Sequence, residues 1–317
     1  MLNFIKNWTL PIAMLAGVVG YLLFVNVPLL EPTKPFVNSL IAFLTPTLIF
    51  AQLLLTFCKV NVRDLLPVRW HGWLLLFQIC SCLLMVAVLL LSKLDVAYRE
   101  VFEGAMVCLI CPTATAAAVI TGKLGGSVSA LTTYTLLSNI LAAVAVPLLF
   151  PLVEPHADLS FFTAFLKILS KVFPLLLCPF FAAWLIRLYL PKLHQWLLNL
   201  HDLAFYLWAV ALTIVTAQTF KSLVESDTPA SVKMLIALAG LFACAVQFLL
   251  GKKIGTHYHD RISAGQALGQ KNTVLAIWMA YTYLDPVSSL APGSYVLWQN
   301  LFNSYQLWKK RRDEIKY

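Results

Sequence analysis

The sequence predicts an all-α integral membrane protein of ten transmembrane helices, built as a 5+5 inverted repeat with two discontinuous crossing helices, spans four and nine. Three observations carry this reading. Apolar residues make up 60% of the chain and charged residues only 12%, whereas a soluble domain carries about 25% charged residues. Apolar runs of membrane-spanning length recur from end to end between short polar loops. Corresponding runs in the two halves are broken near their middles, at Pro112 and around Gly269–Lys271.

A hydrocarbon core of roughly 30 Å needs about 20 apolar residues per helix. Cutting the chain at its proline, glycine and charge clusters gives spans near 8–26, 36–58, 71–92, 98–123, 127–153, 160–186, 200–223, 231–251, 262–284 and 291–308. The first, WTLPIAMLAGVVGYLLFVN, follows a short basic start but is long enough to span and has no clear small-residue cleavage site, so it is read as a helix rather than a signal peptide. The seven cysteines lie almost entirely in apolar runs, without the spacing of a disulfide framework or a zinc site. Cys108 and Cys111 form a CxxC, which reads as packing because a redox pair needs an exposed, activated thiol.

Lysine and arginine set the orientation. Fifteen fall on the face that carries both termini and five on the other, while Lys167, Lys171 and Lys271 lie within spans. The positive-inside rule then predicts a multi-pass cell-membrane protein with both termini cytoplasmic. Trp8, Trp70, Trp73, Trp184, Trp196 and Trp308 fall near that face, as an aromatic belt would. The net charge of +9 is thus a topology signal, and no nucleic-acid partner is implied. His257 and His259 in THYHD have metal-ligand chemistry, but Lys252, Lys253 and Arg261 beside them indicate an ordinary cytoplasmic loop.

Five spans per half is an odd number, so the second half enters the membrane from the opposite side. Residues 1–154 form the first repeat and 155–317 the second. Paired interruptions at corresponding positions of such halves point to a binding site near the midplane. In VCLICPTATAAAVITGKLGG, Pro112 cannot donate its backbone hydrogen bond and breaks span four. GQALGQKNTVLA places Gly269 and a run of amide side chains at the centre of span nine. Broken helices leave unpaired N–H and C=O groups that must be satisfied at that depth, so the two segments are expected to meet.

These segments carry a resemblance. CPTATAAAVITGKLGGSVSALTTYT resembles the CPGGTASN crossing segment of the bile acid:sodium symporter family, KNTVLA its QNSGLA segment and APGSYVLWQN its PGALFSVWHN segment, in the same order along nearly the whole chain. The resemblance implies a core domain from spans 3–5 and 8–10, a panel domain from spans 1–2 and 6–7, and alternating access by movement of one against the other. It places the substrate or ion site at Gln78, Pro112, Thr113, Thr115, Ala117, Ala118, Thr135, Gln266, Gln270, Lys271, Asn272 and Asn300.

The departures from the family pattern are chemically pointed. Ala117 and Ala118 stand where sodium-coupled members have a Ser-Asn pair, Leu131 and Thr135 where span five supplies hydroxyls, and Ala267 and Lys271 where span nine supplies a glutamate and a glutamine. Gln78 matches a family glutamine. Sodium needs several oxygen ligands, and methyl groups provide none. Sodium coupling is therefore not expected. Lys271 can instead act as a tethered cation, its ammonium in the space of the lost ion and bonded to nearby carbonyls, Gln78, Gln270 or Asn272.

A charge at the bilayer centre costs roughly 2.5–3.5 kcal/mol even on a lenient scale, so Lys271 is expected to face a polar cavity. Lysine can also release its proton when buried, which keeps a coupling proton open. A structural reading stays open beside these, in which Lys271 reaches water or pairs with Glu103. Gln266 and Gln270, four apart on one face, suit either cavity lining or a bridge between helices.

HExxH, GxSxG, P-loop and GxGxxG motifs are absent from the sequence, which weighs against catalytic and ATP-driven readings, and no cofactor is expected. Together with the resemblance, the expected activity is secondary transport of a small organic anion, such as a bile-acid-like compound, a steroid conjugate or a carboxylate. The alternative is a ligand-binding membrane receptor or scaffold of the same fold that moves nothing.

Overall fold

The computed structural model describes residues 2–65, 67–154, 160–200 and 202–315. Lys316, counted above on the basic face, and residues 155–159 between spans five and six lie outside them. In chain order the α-helices are α1 (Leu2–Asn26), α2 (Lys34–Cys58), α3 (Arg69–Leu91), α4 (Val96–Ile110), α5 (Ala117–Leu124), α6 (Val128–Val153), α7 (Phe161–Tyr189), α8 (Pro191–Asn199), α9 (Leu203–Glu225), α10 (Ala230–His257), α11 (Arg261–Gly269), α12 (Thr273–Tyr283) and α13 (Leu290–Ile315). Among the described residues the only β-type pairing is one isolated bridge.

Seven of these helices are long and apolar enough to cross a membrane: α1, α2, α3, α6, α7, α9 and α10. The remaining three expected spans take other forms. Span four is divided into α4 and α5, and span nine into α11 and α12. The last expected span lies in α13, which runs on through Lys309, Lys310, Arg311 and Arg312 and is not among the seven apolar helices.

Residues Met1–Lys59 and Pro174–Asp227 form one compact unit. In it α9 packs on both α1 and α2. Tyr21 ties α1 to the far end of α9 by donating to Glu225 Oε1 at 3.0 Å. The unit exposes large apolar side chains, including Leu15, Phe36, Phe43 and Trp184, a surface suited to lipid rather than water.

Residues Val60–Phe173 and Thr228–Tyr317 form the other unit. Trp70, Leu74, Leu131, Tyr134, Ala264 and Leu268 join α3, α6 and α11 in one apolar cluster. Cys108, Ile236, Cys244, Phe248, Ala291 and Tyr295 join α4, α10 and α13 in a second. Helix α10 lies so close to α11 that a Cβ on Gly251 would stand 2.5 Å from the Ala264 carbonyl oxygen. Helices α11 and α12 are almost wholly buried; α12 is mostly apolar, as suits a buried helix, while α11 also buries Ser263 and Gln266. Lipid tails are as apolar as leucine, so packing and hydrogen bonds, rather than expulsion of water, hold such helices together.

Candidate functional site at the crossing of two broken helices

Helix α4 stops at Ile110 for a local reason. The residue before a proline is pushed out of the helical region, and Cys111 has φ −54° and ψ 135°. Helix α11 stops at Gly269, followed by Gln270 at φ −97° and ψ 96°. The two extended stretches run antiparallel and pair Thr113 with Lys271. Ala114 N donates to Gln270 O at 2.8 Å and Asn272 N to Pro112 O at 2.9 Å. The backbone groups freed by each break are thus satisfied by the other, as a low-dielectric interior demands.

The carbonyls that end each half-helix find side-chain donors. At α4, Gln78 Nε2 donates to Ile110 O at 2.7 Å and to Cys111 O at 3.2 Å, and Gln247 Nε2 reaches Cys108 O at 3.2 Å. At α11, Tyr295 OH donates to Gly269 O at 2.7 Å, and Thr113 Oγ1 to Ala267 O at 2.6 Å. Backbone amides of the bridge pair are held from α6 and α13: Thr113 N donates to Ser138 Oγ at 3.2 Å and Lys271 N to Gln299 Oε1 at 3.0 Å.

Lys271 is 1% exposed. Lys167 and Lys171, the other lysines within spans, are exposed. Its ammonium donates to Leu109 O at 3.4 Å, in the last turn of α4. There the helix dipole presents its negative end and the carbonyls lack helical partners. The thiols of Cys108 and Cys111 lie near it. Among the described residues no ion pair of Lys271 with a carboxylate is present. Glu103 instead accepts from Asp285 N at 3.3 Å.

Several expected partners of Lys271 are engaged elsewhere. Gln78 bonds the end of α4 and accepts from Tyr134 OH at 3.1 Å, while Asn272 caps α12 by accepting from Leu275 N at 3.3 Å. Gln270 lends the crossing its backbone, and its side-chain Oε1 has no partner within the protein. The ammonium is buried at a helix end, where the α4 carbonyls supply negative potential.

Pro112, Thr113, Gln78, Gln270, Lys271 and Asn272 are therefore brought together. Ala117 is fully buried at the start of α5, with Ala118 and Thr115 partly exposed nearby. Gln266 bonds Asn303 Oδ1 at 3.0 Å. Thr135 and Asn300 turn back to their own helices, donating to Leu131 O at 3.0 Å and Val296 O at 2.7 Å. Sequence reasoning missed Tyr134, Ser138, Gln247, Tyr295 and Gln299. One signal was available, since Gln247 is a lone amide in an apolar span of the second half, as Gln78 is in the first.

The two half-helix N-termini differ. That of α12 is closed by Asn272, whereas Ala116 at the start of α5 offers no side-chain cap and is exposed.

A comparison with curated proteins gave no match. Residues 61–308 match the SBF-like CPA transporter family, a stretch that contains both breaks and every side chain placed at the crossing above. With that match, the chain belongs to the bile acid:sodium symporter family of membrane transporters, in its SBF-like branch.

Proposed function

We propose that this protein is a secondary transporter of a small organic anion, independent of sodium, in which Lys271 replaces a bound cation at the crossing. The observation that carries this reading is the buried ammonium of Lys271 at the carbonyl end of α4, with no carboxylate paired to it. A positive charge held there offsets the negative helix end, which is what a bound ion would do. The anion is received at the open N-terminus of α5, where exposed Ala116 and part-exposed Ala118 carry only methyl side chains beside the helix end, while Ala117 N is taken by Ala114 O.

In this reading spans 3–5 and 8–10 form a core that carries the crossing, and spans 1–2 and 6–7 form a panel against which it moves. The ten spans make two inverted repeats, with both termini cytoplasmic in the cell membrane. The tyrosine–glutamine contacts Tyr134–Gln78 and Tyr295–Gln247, and the matching bonds of Thr113 and Lys271 across the bridge, support the repeat.

The test is flux in proteoliposomes, run beside ligand-induced thermal stabilisation with carboxylates, steroid sulfates and bile acids. Uptake of a stabilising anion, unchanged when potassium or choline replaces sodium, is expected. Stabilisation without uptake would instead identify a receptor or scaffold of the same fold.

A further inference from the structure

The wedge between α5, α11 and α13 contains more buried polar chemistry than the crossing uses. Ser263, Gln266 and Gln270 follow one another along one face of α11 and its end, and Gln299 and Asn303 along one face of α13. All are at most 6% exposed, and Thr121 of α5 is fully buried. Gln266 Nε2 bridges to Asn303 Oδ1 at 3.0 Å, so α11 and α13 meet here through long side chains. Thr121 and Ser263 lie side by side: a Cβ on Gly126 would stand 2.8 Å from both Thr121 Cγ2 and Ser263 Oγ.

Three oxygens in this wedge, Thr121 Oγ1, Gln266 Oε1 and Gln270 Oε1, are buried and have no partner within the protein. A lone buried polar atom is costly, and such atoms are ordinarily satisfied by internal water making about three hydrogen bonds. The two amide oxygens are acceptors in want of a donor, and the Thr121 hydroxyl can both donate and accept. The wedge ends beside a cation. Lys310 Nζ donates to Lys123 O at 2.9 Å. That ammonium disfavours a metal cation at this end and leaves a neutral donor as the fitting occupant.

We propose that this wedge holds a file of ordered water running from the Lys123–Lys310 end of the bundle to the crossing at Gln270. The face at which it opens is cytoplasmic on the function proposed above, and the file gives the buried crossing an exchange route to that face.

The experiment is solid-state NMR of the full chain in liposomes, labelled with 15N at glutamine, with magnetisation passed from water to the side-chain amides. Loss of a signal in Gln266→Met or Gln270→Met identifies each residue. Both amides should receive water magnetisation nearly as fast as exposed Gln195, while fully buried Gln78, bonded at both ends within the protein, stays dark. Gln266 and Gln270 staying dark with Gln78 would overturn the proposal. Thr121→Val is the second arm, since it keeps the shape and deletes the hydroxyl. Its Tm should be unchanged or lower, and a raised Tm would mean the hydroxyl had been dry. Neither measurement involves flux, so a failed water file and a failed transport reading are told apart.

Discussion

Thr113 and Lys271 face each other across the antiparallel bridge, and each side chain donates to the carbonyl four residues before its partner. Thr113 Oγ1 meets Ala267 O at 2.6 Å and Lys271 Nζ meets Leu109 O at 3.4 Å. A hydroxyl and an ammonium thus perform the same bracing task on the two half-helices. Only the second brings a charge. That asymmetry sets the two broken segments apart chemically.

Removing that charge tests it first. Lys271→Met keeps the bulk but leaves Leu109 O without its donor, a loss of about 1–3 kcal/mol. Flux normalised to folded protein should fall sharply, with a lowered Tm. Wild-type flux and wild-type Tm together would show that the ammonium is a passenger. Lys271→Gln, which restores an amide, should recover part of the Tm without full sodium coupling.

Sodium should give no specific stabilisation. Ala117, Leu131 and Ala267 present methyl groups, and the Ala267 carbonyl is already taken by Thr113. Melting curves in sodium, potassium and choline chloride at equal millimolar concentrations should coincide. A sodium-specific rise in Tm would point to an ion held by backbone carbonyls at the breaks.

Tyr295→Phe should destabilise the protein by about 1–3 kcal/mol. The phenol donates to Gly269 O and accepts from Gln247 Nε2 at 3.2 Å; its loss leaves Gly269 O without its side-chain donor in a fully buried cluster, while Gln247 Nε2 keeps Cys108 O and Ala243 O. Thermal melts compared with Tyr305→Phe, an exposed position, read the effect. Equal Tm values for the two variants would refute the role given to Tyr295.

Gly269→Ala is expected to be worse tolerated than its size suggests. The added Cβ would run into the ring of Phe248, which is 1% exposed in the α4–α10–α13 cluster. Overpacking of this kind costs about 1–3 kcal/mol. Folded yield after size-exclusion chromatography should drop, and the double variant Gly269→Ala with Phe248→Leu should regain part of it.

The membrane environment and both helix breaks were legible in the sequence because their causes are local. Composition fixes the solvent that the spans require, proline lacks an N–H wherever it sits, and a lysine among Leu268, Val274 and Leu275 is conspicuous without any coordinates. Which groups complete the crossing was decided only by the tertiary structure. Gln299 reaches the crossing and Asn300 does not, although they are neighbours: about 100° separates successive residues on a helix, and how α13 is rotated against α11 selects one. The same holds for Thr135, turned back on its own helix, beside Ser138, which meets Thr113. Lys271 was identified as unusual from sequence, but its acceptor is a backbone carbonyl of another half-helix. Every residue carries such a carbonyl, so no pattern of side chains encodes which one is left open; only the packing of α4 against the second break does.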